Sequence, residues 1–319
     1  MRTALRRVIQ LVVVLLCVSF FSFALISLFP GDPVVAIVGF SSAPQRAEIR
    51  HELRLDEPFI QQYGHWLGNF AKGNLGNVYY GPTGRGKVST QVGQSLPISL
   101  QLMAYSMIIT LLIAIPLGVF AAYKAGSVFD KLANATAFGS IALPDFALAL
   151  ILSYWVGVKL RWLPSSGYVH PTANLVEHLK SMTLPALSLA VGQIAGYMRL
   201  LRSDMIATLQ EDYILMAKSK GIPTRRILWR HAVRPSSLTL LTVAGLNVGA
   251  LIGGAIVVEL IFGIPGMGRL LATAIFTRQF VELQSIVALI AIGYVIVNVI
   301  IDVLYTVFDP RIRDARAIA

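Results

Sequence analysis

Six apolar runs fix what this 319-residue chain can fold into. They lie at about 8–29, 98–122, 133–158, 184–202, 236–258 and 284–308. Each is long enough, at 1.5 Å of helical rise per residue, to cross a hydrocarbon core of about 30 Å. In lipid a backbone must satisfy its own hydrogen bonds, so runs of this length read as helices. Composition agrees: 55% of residues are hydrophobic and only 13% charged, against about 25% charged in soluble domains. The expectation is an all-α, polytopic membrane protein with six transmembrane helices.

The first run follows Arg2, Arg6 and Arg7 and ends at Phe29-Pro30-Gly31. A cleaved signal peptide would carry a shorter apolar core, about 7–15 residues, and a small-x-small cleavage site. This run is read instead as a retained span. The chain holds 27 Lys and Arg against 16 acids. The basic residues sit at the edges of apolar runs, which is the membrane pattern and not a nucleic-acid stripe. They concentrate on the side of the N-terminus, residues 123–132, 199–235 and 309–319. By the positive-inside bias that side is cytoplasmic, with both termini there. The resulting division is 1–29, N-terminus and first span; 30–97, an extracytoplasmic loop subdomain; 98–308, a five-helix core with a cytoplasmic loop at 203–235; and 309–319, a cytoplasmic tail. Within 30–97, residues 44–53 and 58–72 read as short amphipathic helices, followed by turns at Gly73, Gly76, Gly81, Gly84 and Gly86.

Little here suggests catalysis. Residues 81–88, GPTGRGKV, approach the phosphate-cradling loop, but Val88 stands where a Mg²⁺-binding hydroxyl is required. The single cysteine, Cys17, allows no internal disulfide. His170 and His178 share a loop without a third ligand at metal spacing and read as solvated. No catalytic residue and no metal site is expected. Two acids lie in apolar spans, Asp145 and Asp302, and an ionisable group there is costly enough to suggest function. Asp302 lies near the end of its span, within reach of the interface. Asp145 follows Pro144, whose kink would free carbonyls and open a polar path.

The longest polar stretch of the C-terminal half is 210–235, with six Lys or Arg and two acids, Glu211 and Asp212. A helix over 204–220 capped by Asp204, a stop at Gly221 before Pro223, and a second helix capped by Thr224 make a helix–turn–helix knuckle. A plain topological anchor would need no such turn with Ile214, Ala217 and Ile222 around it. A docking element for a cytoplasmic protein would.

In this stretch Asp212-Tyr213, Ala217, Lys220-Gly221, Leu228 and Arg230-His231-Ala232 resemble the cytoplasmic loop of one family. It is that of the inner-membrane permease subunits of ATP-binding-cassette importers, in their peptide/nickel group. The resemblance extends through Pro30-Gly31-Asp32-Pro33, Leu55-Asp56-Glu57-Pro58, Gly73-Asn74-Leu75-Gly76, Ile115-Pro116-Leu117-Gly118, Trp162-Leu163-Pro164 and Pro265-Gly266-Met267-Gly268 to Asp309-Pro310-Arg311-Ile312-Arg313. The chain departs from the general E-A-A triplet, with Leu215-Met216-Ala217 in its place, and Pro235 stands where the group often has Asn. The resemblance implies a type I importer permease fold and alternating access. Its implied partners are a second homologous permease in a heterodimer, two cytoplasmic ATP-binding subunits carrying ATP and Mg, an extracytoplasmic substrate-binding protein, and membrane lipid; no nucleic acid is involved. It implies a bacterial or archaeal inner membrane and no cofactor in this chain. It assigns ATPase coupling to Asp212, Tyr213, Ala217, Lys218, Lys220, Gly221, Arg225 and Arg226. Asp145, Gln193 and Asn247 are the polar groups on spans that can line a path. Peptides are the implied cargo, with nickel chelates, glutathione or another small solute left open. A stand-alone secondary transporter would need a complete midplane site in one chain, and a membrane-embedded enzyme a clustered acid or histidine site. Neither is visible in the sequence.

Overall fold

A computed structural model describes residues 2–27, 34–35, 43–80 and 84–308. Pro30-Gly31-Asp32-Pro33, residues 81–83, the C-terminal motif from Asp309 and the side chain of Asp302 lie outside the described residues. The chain is mostly helical. In order it forms α1 (Arg2–Ser27), α2 (Ala43–Glu52), α3 (Phe59–Ala71), a hairpin of β1 (Asn77–Tyr80) and β2 (Gly84–Lys87), then α4 (Val88–Tyr123), α5 (Val128–Ile141) and α6 (Asp145–Leu152). A π-helical stretch, Ser153–Lys159, prolongs α6. After it come α7 (Leu175–Thr208), α8 (Asp212–Ser219), a turn at Thr224–Arg226, a second π-helical stretch at Ile227–Ala232, α9 (Val233–Phe262), α10 (Met267–Phe276) and α11 (Phe280–Phe308).

Among the described residues, Val88–Tyr123, Leu175–Thr208 and Phe280–Ile300 are long and apolar enough to cross a membrane, and two bent pairs raise the number to five. The expected count of six is therefore not reached; in α1 the described apolar stretch, Val12–Ala24, is shorter. The expected third span, 133–158, is no single helix. α5 and α6 meet at 101°, because Pro144 lacks an N–H and drives Leu143 out of the helical region. The fourth, expected at 184–202, is far longer at both ends. Asn174 caps α7, its side chain accepting from Val176 N at 3.0 Å and Glu177 N at 3.2 Å. The polar residues that follow continue the helix beyond the apolar window, and Asp204 lies inside α7 instead of capping a new helix. α9 bends by 55° about residue 250.

The chain divides into two compact units, residues 1–99 with 265–296, and 100–264 with 297–319. Residues 265–296, expected within the 98–308 core, thus pack with the first unit. In that unit Val78, Val88 and Val92 are buried with Met267, Ala274 and Ile286. Phe20 and Phe23 of α1 meet Phe59 and Tyr63 of α3 edge-on, with ring centroids 5.2–5.8 Å apart. The glycine-rich turns expected here are partly a hairpin, with Asn77 opposite Lys87 and Tyr80 opposite Gly84. Gly84–Lys87 are strand and so cannot wrap an anion. Gln279, almost wholly buried, serves β1 as a neighbouring strand would: Tyr79 N donates to its Oε1 at 3.2 Å and its Nε2 donates to Tyr79 O at 2.7 Å. Gln279→Ala leaves both backbone groups unsatisfied, at about 1–3 kcal/mol each. Faster hydrogen exchange at Tyr79 is the expected readout.

In the second unit α7 is the central helix and packs against α5, α6 and α9. Ala114, Ala121, Ala122, Ala137 and Ala195 bring helices close, and Tyr197, Met198, Leu201 and Met205 fill the seams. Small residues at crossings are how helices associate in lipid, where apolar burial gives no drive.

Candidate functional site

The knuckle is built from its buried side. Ile214 and Ala217 of α8, with Ile227, Leu228 and Ala232, are buried and join the cluster of Leu201, Met205 and Leu240. α8 therefore rests on the ends of α7 and α9 through one apolar face, and the opposite face is open. Asp212, Tyr213, Lys218, Lys220, Gly221, Arg225 and Arg226 are exposed. Ala217 is not, so of the expected contact residues it alone serves as a packing residue. Thr224 is the first helical residue, and Pro223 holds the cap position assigned to it by the sequence. Gly221 has φ of +72°, the left-handed region that ends helices. Its N–H bonds Lys218 O at 2.9 Å, and Ile222 N reaches back to Ala217 O at 3.2 Å. Partial desolvation of the phenol, helped by the Glu211 charge, pushes Tyr213 above its ordinary pKa. It stays a donor, to His231 O at 3.4 Å. A cavity of about 590 Å³ lies between the ends of α4 and α7 and the knuckle, reached by Tyr123, Gln210, Lys218 and Thr224.

Of the three polar residues expected along a path, Gln193 of α7 and Asn247 of α9 stand near one another, and Asp145 of α6 lies against the same two helices. Asp145 opens α6. A Cβ placed at Gly254 of α9 would lie 3.0 Å from its Oδ2, and one at Gly192 of α7 would lie 3.7 Å from its Oδ1. The carboxylate thus fits closely against α9 because that helix presents glycine at 254, whereas a Cβ at 192 would make only ordinary contact with it. No described residue bonds or pairs with it. One residue along α7, Gln193 accepts from the hydroxyl of Tyr197 at 3.2 Å, and the Asn247 side chain of α9 lies near the same hydroxyl. Tyr197, almost fully buried, stands beside both amides and was not singled out by the sequence. Its spacing of four from Gln193 on a helix is the signal that could have found it.

His178 is fully buried, not solvated. Its Nδ1 lies 2.7 Å from Val169 O, a carbonyl that can only accept, so Nδ1 carries the proton. Nε2 then accepts from Tyr105 Oη at 3.1 Å. The arrangement pins the loop before α7 to that helix. His170 is exposed, as expected. Among the described residues no cluster of acids, histidines or cysteines could hold a metal ion.

A bundle of long apolar helices, with unpaired polar groups on its crossings and a basic knuckle seated on two of its ends, is the make-up of a transport protein. A family model described as binding-protein-dependent transport system inner membrane component matches residues 114–314, and the model of the N-terminal part of such components matches residues 1–84. The chain belongs to this family and is a multi-pass inner-membrane permease subunit. It is 38% identical over 310 residues, 97% of this chain and 98% of the relative, to a putative peptide transport system permease protein of Brucella abortus. It is 35% identical over 312 residues (97% and 98%) to a probable peptide ABC transporter permease protein of Sinorhizobium fredii. To the oligopeptide transport system permease protein AppB of Bacillus subtilis it is 34% identical over 314 residues, again 97% and 98% of the two chains.

Proposed function

We propose that this chain is the permease subunit of an ATP-driven importer of peptides, working by alternating access across a bacterial or archaeal cytoplasmic membrane. The observation that carries this reading is end-to-end similarity, 38% over 97% of the chain, to a relative named for peptide transport. In this reading the chain adopts the six-span type I fold, with α1 as the first span and both termini cytoplasmic. A second homologous permease completes the path as a heterodimer. Two ATP-binding subunits, which hold ATP and Mg, dock on Asp212, Tyr213, Lys218, Lys220, Gly221, Arg225 and Arg226. A substrate-binding protein delivers cargo from outside.

The mechanism follows from how the knuckle is seated. α8 is held by buried Ile214 and Ala217 against the ends of α7 and α9. A push on its exposed face therefore moves two spans as one body. Those same two spans carry Gly192, Gln193, Asn247 and Gly254, so a shift between them changes the space around Asp145. Its free carboxylate suits the ammonium end of a peptide, in a setting where charge is felt strongly. Asp145→Asn keeps the shape and removes the charge. Uptake of a labelled dipeptide is expected to fall roughly tenfold, the loss of one charge-assisted hydrogen bond, while uptake of the N-acetylated dipeptide is unchanged. Equal uptake of the free dipeptide by both forms, in a strain lacking its own peptide importers, would sink the role of Asp145. Absence of any peptide uptake by the wild-type complex would sink the peptide reading itself.

A further inference from the structure

An unexplained polar feature lies in the first unit. A cavity of about 540 Å³, the size of a small-molecule site, is lined by Tyr79 and Tyr80 of the hairpin, Gln91 and Ser95 of α4, α10, Gln279 and Glu282. All of its lining residues belong to this unit. Glu282, in the first turn of α11, is 2% exposed. Its side chain makes no hydrogen bond or ion pair with any described residue. A carboxylate is not left buried and alone without a reason.

Two neighbours share the condition. Ser95 is buried, and its hydroxyl bonds no described residue. Gln91, one turn earlier on α4, spends its Nε2 on the Tyr80 hydroxyl and leaves Oε1 buried without a partner. Other polar groups around the cavity are occupied. Gln279 holds the backbone of Tyr79. The hydroxyls of Thr273 and Thr277 donate to carbonyls of their own helix. Arg269 has interactions of its own. What remains open to the space is the Glu282 carboxylate and the Ser95 hydroxyl, two acceptors; the Gln91 amide oxygen is closed off from it. A primary ammonium carries three donors and one positive charge.

The geometry points to a binding site for a small primary ammonium compound in this cavity, with Glu282 as its charge partner and Ser95 Oγ as a second acceptor. A secondary or acetylated amine supplies fewer donors and is held less well. The site does not depend on the peptide reading, since its residues are distinct from Asp145 and the knuckle.

The test uses the full-length chain in lipid nanodiscs, with L-alaninamide as probe and N-acetyl-L-alaninamide as its uncharged counterpart, by calorimetry. Saturable binding of the first and none of the second is expected. Glu282→Gln is expected to weaken it at least tenfold, roughly the loss of one charge-assisted bond; Ser95→Ala weakens it less and Glu282→Asp largely retains it. Glu177→Gln, an exposed acid of α7, is the control for general charge attraction. If Glu282→Gln fails to fold, judged by helical circular dichroism, Ser95→Ala and the acetylated probe decide the matter. No saturable binding to the wild type, equal binding of the two probes, or an equal loss in Glu177→Gln would each overturn the assignment.

Discussion

Asp130→Ala is expected to destabilise the second unit by about 3–5 kcal/mol, the usual consequence of removing one partner of a buried ion pair. Asp130 is 3% exposed at the start of α5. Its carboxylate accepts from Arg202 of α7 twice, Nε at 2.5 Å and Nη2 at 2.7 Å. It also accepts from Gly126 N at 2.9 Å and Asn134 Nδ2 at 2.8 Å. Alanine removes the partner of Gly126 N and of both Arg202 donors, the latter two on one charged group, while Asn134 keeps its bond to the backbone carbonyl of residue 130. The charge of Asp130 also sits in the first turn of α5, where it is favoured by the helix dipole. The expected result is poor accumulation in the membrane and an earlier unfolding transition in detergent. The double variant Asp130→Leu with Arg202→Met removes both charges together and is expected to recover most of that stability. If Asp130→Ala unfolds with the wild type, the pair does not fasten α5 to α7.

That pair also marks where reading the sequence stops. The spans of α4, α7 and α11 were legible because apolar length is a local property. Asp130 and Arg202 lie 72 residues apart, and nothing near either names the other. The bend at Pro144 was legible in kind, since proline breaks a helix wherever it stands. Its size, 101°, depends on packing against α7 and was not. The hairpin was missed because its strands have four residues each and β2, Gly84–Lys87, is glycine at alternate positions, so it shows no apolar alternation. Asp204 reads as a cap by residue type, yet α7 runs through it, because Met205 is buried and holds that turn in the core. His178 reads as solvated because the sequence cannot show Tyr105 and Val169 closing over it. In the candidate path the residue types gave Asp145, Gln193 and Asn247. Only the fold shows that α7 and α9 present glycine to Asp145 and that Tyr197 stands beside both amides.

Gly221→Val is expected to abolish most uptake while the chain still inserts, and Gly221→Asn to preserve it. The distinction follows from two facts about the turn. Gly221 has φ of +72°, and a Cβ there would meet nothing within 4 Å. Size alone is therefore harmless, and the penalty comes from the backbone. A β-branched residue in the left-handed region costs about 1–2 kcal/mol or more, whereas asparagine visits it readily. That strain falls on the junction between α8 and Thr224, and it depopulates the native turn by roughly tenfold. Arg225→Glu with Arg226→Glu acts from the other direction. Both side chains are exposed, so the fold has no reason to change, but the basic face proposed above to dock an ATPase is inverted. Uptake is expected to fall as far as with Gly221→Val, with membrane levels and unfolding midpoint unchanged. Uptake equal to wild type in the charge-reversed protein would remove the docking role from these arginines. Equal uptake by the valine and asparagine variants would show that the turn at Gly221 transmits nothing.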